Sequence, residues 1–146
     1  CTATGNLYED GDLTQLPTTA AAAKKAFAEA GISPTDGKIG VMEVHDCFSV
    51  TELLMMEALG FGDGAELIRS GALDINGRLP CNTGGGLIGF GHPTGATGVK
   101  QLLEVMRQLK GQAGAYQVPK IPEYGLAANM GGDDKTACVT ILKNCV

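Results

Sequence analysis

Residues 84–98 read GGGLIGFGHPTGATG, and this run decides how the chain is read. Its glycines let backbone approach a ligand closely, and its single imidazole, His92, is held between Gly91 and Pro93. Directly behind it, Val99, Leu102, Leu103 and Met106 recur at helical spacing and predict an amphipathic helix that stops at Gly111. A histidine in the loop that opens such a helix can take a proton from a nucleophile or donate to a developing oxyanion. It can also do no more than bond neighbouring backbone. Both phosphate signatures fail: Thr94 stands where G-x-G-x-x-G needs its third glycine, and no G-K-[ST] follows. Nucleotide binding is therefore disfavoured.

Outward from this run, the second histidine, His45, follows the apolar stretch IGVMEV (39–44), which reads as a buried strand. It opens the tetrad His45-Asp46-Cys47-Phe48. Ser49 and Glu52 have the spacing of a capping box, predicting a helix whose buried face is Val50, Leu53, Leu54 and Ala58 and which ends at Gly60. The tetrad thus lies between the carboxyl end of a strand and the start of a helix, where open α/β sheets bind ligands. In extended backbone His45 and Cys47 share one side and Asp46 takes the other. A thiol beside an imidazole can move a proton or act as a nucleophile; the competing reading is a buried, inert cysteine. His45, Cys47, Cys81 and His92 are all types that bind zinc, but their spacing matches no zinc signature, and no metal is expected.

Elsewhere, residues 1–16 read as a strand end and a loop, GNLYEDGD included. A helix is expected over 18–30, with Ala23, Ala26, Phe27 and Ala30 inward and Gly31 just past its end. Residues 33–37 form a turn, and 61–80 carry no strong period, with a turn or short hairpin at 74–77. Strands at 124–128 and 136–142 are joined by Asn129–Asp134, where Asp133 and Asp134 read as a solvated turn. The order is β-α-β-α-(β)-α-β-β in one domain.

Composition narrows the function. A net charge of −5, few aromatics and no tryptophan argue against nucleic acid, whose phosphates need a basic face. No apolar run approaches the roughly 20 residues a membrane span requires. Five cysteines without a C-x-x-C pair suit a reducing intracellular compartment; cytoplasm, mitochondrion and peroxisome-like organelle are not distinguished. The chain begins at Cys1 with no signal-like segment, and its last residues, KNCV, match no peroxisomal or ER address. A piece of a longer protein is expected.

Gly91-His92-Pro93-Thr94-Gly95-Ala96-Thr97-Gly98 resembles the G-H-P-x-G-A-T-G motif of the thiolase superfamily, and His45-Asp46-Cys47-Phe48 is similar to the tetrad of its SCP2-thiolase branch. Other thiolases have N-E-A-F there, and their C-x-G triplet is here Asn129-Met130-Gly131, without cysteine. The resemblance covers essentially the whole chain. It implies the C-terminal half of the thiolase fold, a mixed sheet of roughly five strands (βαβαβαββ, the first truncated) with helices packed on it. It also implies an acyltransferase catalysing CoA-dependent thiolysis of 3-ketoacyl-CoA or the reverse Claisen condensation. His92 would activate a nucleophilic cysteine, His45 would hydrogen-bond the enolate oxygen, and Cys47 would move the α-carbon proton. Gly91, Asn129 and Gly131 would serve the oxyanion holes and substrate. Coenzyme A is substrate and no cofactor is implied. The nucleophile would come from an N-terminal half outside this chain, in a parent expected to be a homo-oligomer. The alternatives are a non-catalytic thiolase-like protein binding acyl-CoA or a partner, and a carbon–carbon lyase on a steroid side-chain CoA ester, which the histidine and cysteine of the tetrad disfavour.

Overall fold

A computed structural model describes residues 2–3, 12 and 14–145. Most of the expected N-terminal loop lies outside the described residues. Four strands form one mixed sheet: β1 (Thr2–Ala3), β2 (Ile39–Val44), β3 (Tyr124–Gly131) and β4 (Thr136–Lys143), in the order β1-β4-β3-β2. β2 runs parallel to β3, and β4 is antiparallel to both β3 and β1. The expected fifth strand is reduced to one parallel bridge, Met42 to Cys81, on the free side of β2. There the Met42 N–H donates to Pro80 and the Asn82 N–H donates back to Met42, and Asn82, at φ 49°, turns the chain away.

One face of the sheet carries Met42, Val44, Leu126, Ala128, Ala137 and Val139 into the main core, with Phe27 of α1 (Pro17–Ala30) and Met55 and Met56 of α2 (Ser49–Ala58). Helix α1 ends as the sequence predicts: Gly31 is left-handed, and the Ile32 N–H reaches back to Phe27. Between α2 and the glycine run, the segment without a period holds a short helix, α3 (Gly64–Arg69), capped by the Asp63 carboxylate on the Glu66 N–H (2.9 Å).

The capping box of α2 does not form. Its Ncap is Phe48, with no side-chain bond, and Glu52 instead receives a hydrogen bond from Asn82 (3.3 Å). Val50 is exposed, and the buried face is Thr51, Met55 and Met56. Period counting missed this face because α2 packs along its methionine edge.

On the other face lies α5 (Thr97–Leu109), behind the short α4 (Gly86–Phe90) that interrupts the glycine run. Gly125 makes the approach possible, since a Cβ there would lie 2.5 Å from a Val105 methyl. The buried side of α5 is Thr97, Gln101, Glu104, Val105, Gln108 and Leu109, while Val99 is 70% exposed. Of the expected apolar stripe, Val99 and Met106 face outward, while Leu102 packs against the core. Gln108 explains part of the inversion: it donates to Thr83 (2.8 Å) and the Tyr116 carbonyl (2.7 Å) and accepts from the Val118 N–H (2.9 Å).

The β3–β4 turn also departs from expectation. Asp134 is buried rather than solvated, and its carboxylate accepts from the Thr18 N–H (2.8 Å), the Thr19 N–H (3.0 Å) and the Thr19 hydroxyl (2.5 Å). A residue from the far end of the chain thus satisfies the first turn of α1, which has no local side-chain cap. Asp134→Ala is expected to cost about 1–2 kcal/mol in urea unfolding, the scale of a lost cap, with Asp134→Asn retaining part of it. Equal midpoints for wild type and Asp134→Ala would show that the turn does not hold the helix.

Candidate active site

One carboxylate links the two loops of the site. β2 delivers His45, Asp46 and Cys47 to the carboxyl edge of the sheet, the first two buried and the third half-buried. Asp46 turns away from the other two and accepts from the Leu87 N–H (2.8 Å) in the first turn of α4. Gly86 has φ 58°, and any Cβ on it would collide with that carboxylate. Asp46 thereby ties the HDCF tetrad to the glycine run, and α4 carries the chain on to His92. Gly91, at φ 89°, makes the last turn; its N–H donates to the Leu87 carbonyl (2.9 Å).

The two histidines then meet edge to face, with ring centroids 4.9 Å apart at 83°. Their surroundings divide the roles their nitrogens can play. Thr97 Oγ1 lies 2.7 Å from His92 Nδ1, and its one proton is directed at the Pro93 carbonyl (3.2 Å). With the hydroxyl turned to Pro93 it can accept from Nδ1–H, and in that tautomer the Nε2 of neutral His92 carries a lone pair. His45 is the reverse case. Its pKa is lowered first by burial and then by His92, against a smaller opposing effect of Asp46, so it is neutral near pH 7. Its Nδ1 is buried without a hydrogen-bond partner. An orphaned acceptor is tolerated better than an orphaned N–H, so the proton belongs on Nε2. One imidazole is thus arranged as a base and its neighbour as a donor.

Cys47 packs its sulfur 3.8 Å from the Thr51 hydroxyl at the start of α2. His45, Cys47, His92, Asn129 and Gly131 all line one cavity of about 1090 Å³, whose far wall is the Asp133–Cys138 stretch and the start of α1. Gly91 is not among its lining residues. Phe48, 72% exposed, and Val50 stand at the cavity as apolar lining. Sequence reasoning placed Asp46 only by alternation and missed Thr97, whose signal was its place five residues after His92 in the same motif.

Behind the site lies a layer of buried acids. Glu43, two residues before His45 on β2, is pushed up to about 8, chiefly by burial and then by the Glu104 carboxylate, with Lys100 opposing. Glu52 is raised by burial and Asp46. Cys81, hydrogen-bonded to Glu52, is raised well above an ordinary thiol by burial and the surrounding acids. Cys81 is therefore an inert thiol in this layer and not a fourth ligand beside the histidines. Among the described residues, no three histidine, cysteine or acid side chains are grouped to hold a metal.

Because its folded pKa lies above the 4.5 of an unconstrained glutamate, Glu43 favours the folded state in acid and loses that contribution as pH rises from about 4.5 through about 8. Glu43→Gln should match wild type in melting temperature near pH 4 and exceed it by a growing margin up to pH 8.5. A margin independent of pH would mean that Glu43 is not the titrating group.

The mixed sheet, with helices on both faces and two histidine-bearing loops at its carboxyl edge, defines an α/β domain. Residues 2–144 match the family model described as thiolase C-terminal domain-like, and the chain belongs to that family. It is 44% identical over 138 residues to an acetyl-CoA acetyltransferase of Methanothermobacter thermautotrophicus, covering 92% of this chain and 35% of that protein. Human sterol carrier protein 2 is 48% identical over 101 residues, covering 67% of the chain and 18% of that protein. The chain thus spans about a third or less of these relatives. Among solved structures, the Ltp2-ChsH2(DUF35) aldolase superposes with a TM-score of 0.81 over the whole chain and 38% of its own, at 24% identity, a likeness of fold. No helix among the described residues is long and apolar enough to cross a membrane.

Proposed function

We propose that this domain forms one wall of the acyl-CoA site of an SCP2-type thiolase, which cleaves a 3-ketoacyl-CoA with coenzyme A or runs the condensation in reverse. The observation that carries the reading is the edge-to-face pair of His45 and His92 at a cavity that Cys47 also lines.

In the cleavage direction, His92 Nε2 takes the proton of a cysteine supplied by a half of the protein outside this chain. The thiolate attacks the 3-keto carbon, and the carbonyl π electrons move to oxygen. As that oxyanion collapses, the Cα–Cβ bond breaks and its electron pair forms an enolate on the departing CoA ester. His45 Nε2–H donates to the enolate oxygen, and the Cys47 thiol protonates the α-carbon. The thiol of a second coenzyme A then gives its proton to the Cys47 thiolate and attacks the acyl-cysteine thioester, and the released cysteine thiolate takes back the proton held by His92. Charge resides on oxygen at each stage, so fixed donors matter most; losing one typically costs about 10²–10³-fold in rate. Gly131 and Asn129 line the same cavity, where they contact the substrate. No cofactor enters the scheme.

The domain is incomplete for this reaction. Val99 on α5, Ile88 on α4 and Phe48 are all more than two-thirds exposed, which suits a surface covered by the other half of a longer chain. The parent is proposed to be a homo-oligomer in a reducing intracellular compartment.

In the full-length protein, Cys47→Ala should lower 3-ketoacyl-CoA thiolysis by about 10²-fold or more while substrate still binds, as expected for a lost acid/base group. His92→Ala should do the same. Unchanged turnover in Cys47→Ala would remove the role given to its thiol. A wild-type protein that binds acyl-CoA in calorimetry without turning it over would support the non-catalytic reading instead.

A further inference from the structure

The buried edge of α5 carries a polar residue that the scheme above does not use. Gln101 is fully buried and reaches two partners on β3: its Nε2 lies 3.4 Å from the Ala128 carbonyl oxygen, and its Oε1 lies 2.8 Å from Asn129 Nδ2. The direction of this chain of bonds is set at one end by backbone. A carbonyl oxygen can only accept, so Gln101 must present its NH₂ group to Ala128 and its oxygen to Asn129. Reversing the amide would set two oxygens against each other at a buried position. Asn129 must then turn its own NH₂ group to Gln101, leaving its Oδ1 on the side of the cavity that it lines.

We infer that Gln101 is a positioning residue that fixes the Asn129 carboxamide with its carbonyl oxygen presented to the ligand, so that this wall offers a hydrogen-bond acceptor. The inference rests on the acyl-CoA reading for its ligand: the pantetheine arm brings amide N–H groups, which need acceptors of this kind. It also separates Asn129 from the oxyanion donors, a task that falls to the histidines. Thr97 and Gln101 are one helical turn apart, so α5 orients both His92 from the preceding loop and Asn129 from the neighbouring strand.

The test uses the full-length protein and reads orientation and function separately. In spectra of protein with ¹⁵N-labelled asparagine side chains, one Asn129 Nδ2 proton should be protected from solvent exchange in wild type and unprotected in Gln101→Met. Two fast-exchanging protons in wild type would overturn the inference, whether or not the protein is a thiolase and whether or not the variant folds. In kinetics, Gln101→Met and Asn129→Ala should each lower kcat/KM about tenfold, mostly through KM, the scale of one hydrogen bond. The double variant should be no worse than Asn129→Ala, because Gln101 acts through Asn129. Losses that multiply would mean that Gln101 acts elsewhere and would overturn it too.

Discussion

The bond from the Leu87 N–H to the Asp46 carboxylate is the constraint on which this domain's site depends. The two loops it joins are more than forty residues apart, and each is irregular backbone with little core of its own. Asp46 is buried, so its charge needs firm partners to remain inside. Leu87 provides one, and the absent Cβ of Gly86 provides the room. With that bond in place, His92 is delivered edge-on to His45. It works with the bonds of Asn82 to Met42 and Val44 at the start of the glycine run, and with the Thr97 hydroxyl beside His92 at its end.

Helix α5 is the second determinant, and it works against the usual arrangement of an amphipathic helix. It turns glutamines and a glutamate to the sheet and part of its apolar stripe outward. Such a helix is costly to bury unless its polar groups are paired, and here they largely are, to backbone carbonyls, amides and the cations Lys100 and Arg107. One Glu104 oxygen and one Glu43 oxygen stay unpartnered, and burial, followed by the nearby Glu104 carboxylate, raises the pKa of Glu43. The arrangement sacrifices core apolarity for rigid orientation of groups at the helix's N-terminal end.

The elements themselves were legible in the sequence. β2, α1 with its Gly31 terminus, and the β3–β4 hairpin could be read from apolar runs and turn residues, because short-range propensity and burial agree there. The site's two loops were legible as well, since glycine, proline and histidine leave few alternatives. The faces of α2 and α5 were not. Periodicity finds an apolar stripe but cannot say whether the sheet or another surface receives it. The role of Asp134 was equally hidden, because a cap supplied from 116 residues away leaves no local signature. The fifth strand expected within 61–80 is not formed there: that segment holds α3 and turns, and pairing with β2 is limited to the single bridge at Cys81 before Asn82 bends the chain.

The arrangement of His45 and His92 follows from these long-range choices rather than from either histidine's sequence neighbours alone. Two imidazoles 4.9 Å apart would ordinarily compete for protons, and a positive charge on one disfavours charge on the other. Burial settles the competition at His45, which stays neutral. His92 is the more exposed ring, and its Nδ1 is held beside the Thr97 hydroxyl on the next helix. The buried ring and the exposed ring are thus fixed by different elements, His45 by the end of β2 and His92 by the start of α5. A site handling oxyanions needs donors fixed in this way.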